Sequence, residues 1–420
     1  MTPTSTRLEL TWVGKEDRPT LEPRTLVRDD LLSHATGRRG PRVTFDNLLI
    51  QGDNLLALAA LEHEFAHQVK CVYIDPPYNT GNAFEHYDDG VEHAQWLSSM
   101  RDRLEVLRRL LREDGILFVH IDDTEQAYLK VLLDEIFGRQ NFCGQIVWEK
   151  KKKPSFLNAN LGVVTEYILA YSPRRSSSPA FVGGLTTESK RYPINNAGNG
   201  VQTLSFPPRA VEFRCGDGVY EPQDMSEGNI KTRLLDPIVV RQRRNESSFR
   251  LEGEWRYSQR RLDEILAAGE SVIISKVPFR PNHIKPGGEE KKLSNLLTVA
   301  GHQMSTHEDA TAESEALFGP AQAFEYPKPE RLLQTLIAAV TSPGDLVLDS
   351  FLGSGTTAAV AHKMGRRWIG IELGDHAVTH CVPRLRKVID GTDRGGITGA
   401  VNWQGGGGFG FYRLAPVAAG

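Results

Sequence analysis

Val69-Lys-Cys-Val-Tyr-Ile-Asp-Pro-Pro-Tyr78 is a nearly unbroken apolar run that stops at an acid, two prolines and a tyrosine. A run of six such residues ending at a turn signal reads as a strand buried on both faces, which is what a parallel sheet covered by helices requires. Working outward, residues 47–51 read as a short strand and residues 54–65 as an Ala/Leu-rich helix. Beyond the prolines a helix with leucines at i, i+3/i+4 spacing covers 96–112, followed by a strand at 116–121 and an amphipathic helix at 124–137. Further strands fall at 145–148 and 167–171. Strands alternating with helices in this way predict an α/β fold.

The same alternation returns near the other end. Lys328-Pro329 precedes a helix at 330–340. A strand at 346–348 leads into Asp349-Ser-Phe-Leu-Gly-Ser-Gly355, then a helix at 356–364 and a strand at 367–371 that stops at Glu372. Between these halves, residues 173–325 are rich in Pro, Gly, Asn and Arg. They offer only short strands (211–213, 271–275) and one convincing helix (258–268), so they read as an inserted domain. The glycine run 405–408 reads as a flexible loop, and no internal repeat is evident.

Composition narrows the class. Hydrophobic residues make up 40% of the 420 and charged residues 25%, ordinary for a soluble enzyme. No apolar run approaches the roughly 18 residues of a membrane span, and the polar first residues carry no secretory signal. Four widely spaced cysteines argue against a disulfide framework or a zinc knuckle, so a reducing, cytoplasmic setting is expected. The net charge of −3 means that affinity for nucleic acid must come from local clusters. Candidates are Lys151, Lys152 and Lys153, and Arg241, Arg243 and Arg244. Any one cluster alone reads as a solvated surface.

A strand, Gly353-x-Gly355 and a helix place backbone N–H groups and a helix N-terminus toward a ligand, and Glu372 stands about 20 residues on, where an acid reaches ribose hydroxyls. Gly353-Ser-Gly355-Thr-Thr-Ala358 also fits a nicotinamide fingerprint, whereas no Gly-Lys-Ser/Thr follows for a Walker loop. Asp349, ahead of the glycines, is suited to a cationic amino acid moiety. With Phe351, Thr356 and Thr357 the segment resembles the cofactor loop of amino-methyltransferases that use S-adenosyl-L-methionine.

The Asp75-Pro76-Pro77-Tyr78 tip suits the other half of that chemistry. An exocyclic base amine such as adenine N6 is a poor nucleophile, because its lone pair is delocalised into the ring. An acid and a rigid carbonyl that accept its hydrogens return electron density to nitrogen. Asp75 and the carbonyl of Pro76 are those groups, preorganised by the fixed φ of two prolines, and Tyr78 would stack on the base. A base in a duplex must be flipped out to reach them.

Tyr73-Ile-Asp75-Pro-Pro-Tyr78-Asn-Thr-Gly81 closely resembles the catalytic motif of type III modification subunits and related DNA adenine methyltransferases. Leu10-Thr-Trp-Val-Gly-Lys15, Gln51-Gly-Asp-Asn54, His86-Tyr-Asp-Asp89, Glu125-Gln-Ala-Tyr-Leu-Lys130, Tyr326-Pro-Lys-Pro329 and 405–412 extend the likeness over most of the chain, weakest in the middle. The resemblance implies a Rossmann-like methyltransferase fold with a mostly parallel seven-stranded sheet, circularly permuted so that the catalytic motif precedes the cofactor loop. The strand missing after Glu372 would then be the one at 47–53. It further implies that Asp53 contacts the cofactor adenine, that Lys328 and Pro329 flank the pocket, and that the insert is a target-recognition domain. The expected division is an N-terminal extension at 1–40, a catalytic half at 41–173, the recognition domain at 174–325 and a cofactor half at 326–420. Expected partners are double-stranded DNA, a second copy of the chain and a separate restriction subunit. No helicase or nuclease signature is present.

Other readings compete. Cytosine N4 needs the same chemistry as adenine N6, though Asp75 favours adenine. RNA or protein-glutamine methylation uses a related Asn-Pro-Pro-Tyr motif, against which Asp75 and the arginine-bearing insert argue. An oxidoreductase rests on the glycine fingerprint alone, and a non-catalytic DNA-binding protein is disfavoured by an intact Asp75. His63-Glu-Phe-Ala-His67 matches a zinc-protease signature without a third ligand, so no metal is expected. Asn245-Glu-Ser247 matches a glycosylation sequon with no secretory signal to give it meaning.

Overall fold

The apolar run at 69–74 is a strand, and what covers it explains its composition. The computed structural model describes residues 9–37, 45–80, 92–154, 160–186 and 190–416. Gly81 and the 86–89 segment of the resemblance lie outside them. Two units are present, Met1–Gly183 with Lys292–Gly420, and Gly184–Lys291.

In the first unit the strands are β1 (Arg24–Ala35), β2 (Leu48–Gln51), β3 (Val69–Ile74), β4 (Leu111–Ile121), β5 (Phe142–Glu149), β6 (Thr165–Tyr171), β7 (Leu296–Leu297), β8 (Leu346–Asp349), β9 (Arg367–Glu372) and β10 (Gly408–Pro416). They form one sheet in the order β1-β10-β2-β9-β8-β3-β4-β6-β5-β7. From β10 to β4 every neighbouring pair is parallel, while β6 runs antiparallel to both β4 and β5. Alternate residues of β3 enter opposite cores. Val72 and Ile74 pack with Leu58, Trp96 and Leu104 of α1 (Asn54–Phe65) and α2 (His93–Leu110). Cys71 and Tyr73 pack with Leu336, Ala358 and Leu385 of α5 (Glu330–Val340), α6 (Thr356–Lys363) and α7 (Val382–Ile389). Two further helices, α3 (Gln126–Leu133) and α4 (His307–Phe318), complete the set used below. Full burial of each such aliphatic side chain contributes about 1.5–3 kcal/mol. An aspartate at Val72 would have no partner in that core.

This topology positions a crevice. The crossover through α2 carries the chain from β3 to β4 on one side, and the crossover through α6 carries it from β8 to β9 on the other. The two helices cover opposite faces, so the neighbouring C-terminal tips of β3 and β8 part at a topological switch point, where open α/β sheets bind ligands.

Several expectations are corrected. Among the described residues the sheet has ten strands rather than seven. Residues 24–35, expected to lie in an extension, are an edge strand antiparallel to β10. The glycine run is no loose loop: Gly405, Gly406 and Gly407 all have positive φ, Gly406 N donates to Ile389 O at 2.7 Å, and the turn launches β10 into the sheet. The strand at 48–51 does lie beside β9, in register Leu48↔Ile369. The insert is shorter than 174–325, because residues 292–325 contribute β7 and α4 to the first unit. The sequence motif that mimics a zinc site is split, since α1 ends at Phe65 and His67 sits outside it with φ 57°.

The second unit has its own core of Phe206, Phe213, Phe249, Phe279 and Trp255, built from a seven-stranded and a four-stranded sheet with one helix (Gln259–Ala267). Its strands are two to six residues long, too short for periodicity to show. Asn245, the sequon residue, is fully buried and receives Val211 N.

Candidate active site

Asp75 leaves the tip of β3 and is gripped on both oxygens. Tyr78 donates its hydroxyl to Asp75 Oδ1 at 2.7 Å, and Lys328 Nζ donates to Oδ2 at 2.6 Å. The Pro76-Pro77 turn is pinned from below by Trp96, whose indole N–H donates to Pro77 O at 2.8 Å. Lys328 also lies over the Tyr78 ring, 5.3 Å from its centroid. Burial disfavours the ammonium, but Asp75 and Glu166 overcome it and hold Lys328 above the ordinary lysine value. Burial, reinforced by the charges of Asp75 and Glu166, pushes the Tyr78 phenol well above its usual range, so it remains a donor.

Behind Tyr78 stands Glu166 at the start of β6, its side chain only 4% exposed. Oε1 receives Lys150 Nζ at 3.0 Å and faces His307 Nε2 at 3.4 Å; Oε2 lies 2.9 Å from His120 Nε2 and 3.3 Å from the Tyr78 hydroxyl. The Tyr73 hydroxyl pairs with His120 Nδ1 at 2.8 Å, which leaves Nε2 turned to the carboxylate. Burial opposes the charge on Glu166, yet Lys328, His120 and His307 hold its carboxyl well below the usual carboxylate range. Burial depresses His120.

On the other side of the crevice, Gly353 (φ 54°) and Gly355 (φ 83°) turn the chain from β8 into α6 in a conformation that side chains rarely adopt. A Cβ on Gly355 would only just touch Cys381 at 3.4 Å, so it is the backbone conformation that calls for glycine. Glu372 Oε2 accepts from Gly353 N at 2.7 Å and Oε1 from Leu373 N at 2.7 Å, so this acid shapes the loop. Asp349 is buried, and its partners are neutral: Phe351 N at 2.9 Å and the Thr357 hydroxyl at 2.5 Å. Burial raises its carboxyl to about 7, with the charges of Asp75 and Glu372 adding to the effect and the two hydrogen bonds opposing it.

One pocket of about 530 Å³ joins the two tips. Asp75, Pro76, Pro77, Tyr78, Lys151, Lys328, Asp349, Phe351, Gly353, Thr356 and Thr357 line it, so most of the residues singled out from sequence share one cavity. Four of the cofactor candidates do not line it. Pro329 precedes the first turn of α5, Gly355 caps α6, and Glu372 acts through Gly353. Asp53 caps α1 through Leu56 N at 3.0 Å and pairs with Arg103 at 3.3 Å. Lys152 and Lys153 are exposed, Lys152 lying 3.7 Å from Asp309. In the second unit Arg241 and Arg244 flank a tight turn in which Gln242 and Arg243 have positive φ, and Arg241 lies 3.3 Å from Glu246. Glu166, His120 and His307 went unnoticed in the sequence. The one available signal was an acid, Glu166, opening an otherwise apolar strand.

Buried charges brace the Gly353 side of the crevice. Arg384 donates to Glu330 Oε1 at 2.9 Å and to the Thr356 hydroxyl at 2.8 Å, and Lys363 lies 2.8 Å from Glu330 and 2.6 Å from Asp393. Among the described residues no group of three or more His, Cys, Asp or Glu is arranged to hold a metal ion, and no helix is long and apolar enough to cross a membrane.

A family profile described as DNA methylase matches residues 69–382. The chain is 36% identical over 413 residues to the probable type III restriction-modification enzyme HindVI Mod subunit of Haemophilus influenzae, covering 88% of this chain and 54% of that protein. It is 27% identical over 415 residues to the type III restriction-modification enzyme EcoP15I Mod subunit of Escherichia coli, covering 85% of this chain and 62% of that one. The chain thus spans a little over half the length of these relatives. Among solved structures, the complex of M1.HpyAVI with SAM aligns with a TM-score of 0.39 at 14% identity, covering 80% of this chain and 98% of that one.

Proposed function

The chain belongs to the DNA methylase family, and from that premise we propose that it transfers a methyl group from S-adenosyl-L-methionine to adenine N6 of a base flipped out of duplex DNA. The observation that carries this reading is the adjacency of β3 and β8, in register Val347↔Cys71, which opens Asp75 and the Gly353 loop into one pocket. The cofactor suits the residues present. Asp349 is a buried acid with neutral partners only, a site that a methionine ammonium would complete.

When bound, the cofactor supplies an electrophilic methyl on a sulfonium. Asp349 would hold the ammonium, and Gly353 and Gly355, without side chains, would let the backbone approach. Phe351, Thr356 and Thr357 would line the methionine arm. Glu372 would accept from the ribose, Asp53 would face the adenine, and Lys328 with Pro329 would flank the pocket. Asp75 and the Pro76 carbonyl accept the hydrogens of the target amine, and Tyr78 stacks on the base; flipping it costs a few kcal/mol. Lys151, Lys152 and Lys153, and Arg241, Arg243 and Arg244 of the second unit, would meet phosphates and base edges. That unit serves as the target-recognition domain. We infer a cytoplasmic enzyme that works as a homodimer and is open to a separate restriction subunit.

The test is direct. Incubation with labelled S-adenosylmethionine and unmethylated DNA, followed by nucleoside mass spectrometry, is expected to give N6-methyladenine, abolished by Asp75→Ala. Transfer to RNA only, label on cytosine N4, or transfer undiminished in the variant would each overturn it.

A further inference from the structure

Asp75 meets its proposed substrate already occupied. Lys328 cannot leave Oδ2 cheaply, since its side chain is only 9% exposed and withdrawal would strand both charges. Tyr78 is different. Its hydroxyl donates to Asp75 Oδ1 at 2.7 Å while a second carboxylate oxygen, Glu166 Oε2, lies 3.3 Å away. Turning the O–H about the C–O bond exchanges one acceptor for the other without moving a heavy atom. As long as the proton points to Asp75, it draws off the electron density that an incoming amine hydrogen would need.

We propose that Glu166 is a positioning residue that receives the Tyr78 hydroxyl when the target amine arrives, releasing Asp75 Oδ1 to accept from that amine. The inference rests on the methyl-transfer reading above. Four elements converge to keep Glu166 in place for this: Tyr78 after β3, His120 on β4, Lys150 after β5 and His307 opening α4. No bond is made or broken; a hydrogen bond changes acceptor, and the amine takes the vacated one. The plain alternative is that Glu166 only balances the charge of Lys150 and its neighbours.

A double-mutant cycle separates the two, because only the exchange requires the Tyr78 hydroxyl. Single-turnover transfer would be measured with saturating S-adenosylmethionine and unmethylated plasmid DNA for wild type, Glu166→Gln, Tyr78→Phe and the double variant, with unfolding midpoints in parallel. Glu166→Gln is expected to slow transfer about tenfold when Tyr78 is present and by less than about twofold when Phe replaces it, the scale of one hydrogen bond to a charged acceptor. Equal losses in both backgrounds, or no loss in either, would overturn the proposal. If Glu166→Gln does not fold, Glu166→Asp runs the same cycle, keeping the charge near Lys150 while withdrawing it from Tyr78. Failure of the wild type to methylate DNA would remove the underlying reading as well, whereas additive losses in an active enzyme remove the hydroxyl exchange alone.

Discussion

Cofactor affinity should fall as pH drops below neutrality, and Asp349 should be the reason. Its carboxyl is raised to about 7, so near neutrality roughly half the molecules carry the neutral form, which cannot pair with an ammonium. Only the ionised fraction binds well. That fraction falls from about one half at pH 7 to about 3% at pH 5.5, so affinity should weaken about fifteenfold over that interval. The window stops at pH 7 because the ligand's own α-amino group loses its charge at about 7.7–8.0. Calorimetry in buffers of different ionisation enthalpy should record release of about half a proton per cofactor at pH 7. A thioether nucleoside lacking the amino acid should bind with no such slope, and Asp349→Asn should bind the full cofactor weakly and without it. The stability linkage has a definite sign. Because the folded value lies above the unfolded one, the ligand-free protein is favoured at low pH and loses stability as pH rises through about 7, at most about 1.4 kcal/mol per unit. Asp349→Asn should therefore raise the unfolding midpoint at pH 8 and leave it nearly unchanged at pH 4. A wild-type affinity that is flat from pH 5.5 to 7, or a slope that survives in Asp349→Asn, would refute the assignment.

Three other outcomes follow from named contacts. Lys328→Met removes the partner of Asp75 and should cost about 3–5 kcal/mol in urea unfolding, with methyl transfer lost, and Lys328→Arg should restore more of the stability than of the rate. Arg384→Met should destabilise by a similar amount and weaken cofactor binding, because Thr356 and Glu330 lose a shared donor; an unchanged cofactor titration would contradict that link. Arg243→Ala, on an exposed turn of the second unit, should lower DNA affinity and reduce the slope of log affinity against log salt by about 1 while leaving cofactor affinity alone.

The parts of the fold that could be read from sequence are those whose local pattern has a single physical cause. β3 and β8 are buried on both faces and flanked by turn residues, so their apolar runs mark their ends within a residue. β1 escaped because it is an edge strand: Thr25, Val27, Asp30 and Leu31 are exposed, so apolar and polar residues share its outer side, and an irregularity between Asp29 and His34 breaks the period of two. β10 left a trace, with Phe409 and Phe411 both buried, but the glycines before it pointed to a loop. The insert was drawn too wide because residues 292–325 share its composition, although Trp148 Nε1 bonds to Ser305 O and ties that stretch to the first unit. Glu166 and His307 are 141 residues apart, a contact that neither spacing nor periodicity can announce.

Chain order matters less to this site than strand adjacency. In a parallel sheet two tips meet when their strands are neighbours, whichever is made first, so a permuted chain can build the same crevice. Adjacency alone would leave the two tips independent. Here Lys328, 253 residues from Asp75, crosses between them. Two residues later Glu330 opens α5, and its carboxylate is tied to Arg384, which also holds Thr356 at the start of α6. Glu330, Lys363, Arg384 and Asp393 are all buried, so withdrawing any one leaves a neighbour uncompensated at a cost of several kcal/mol. Such a cluster resists partial rearrangement. The cation that steadies Asp75 is therefore anchored to the same buried charges that fix the Gly353 loop, and a disturbance on either side should register on the other.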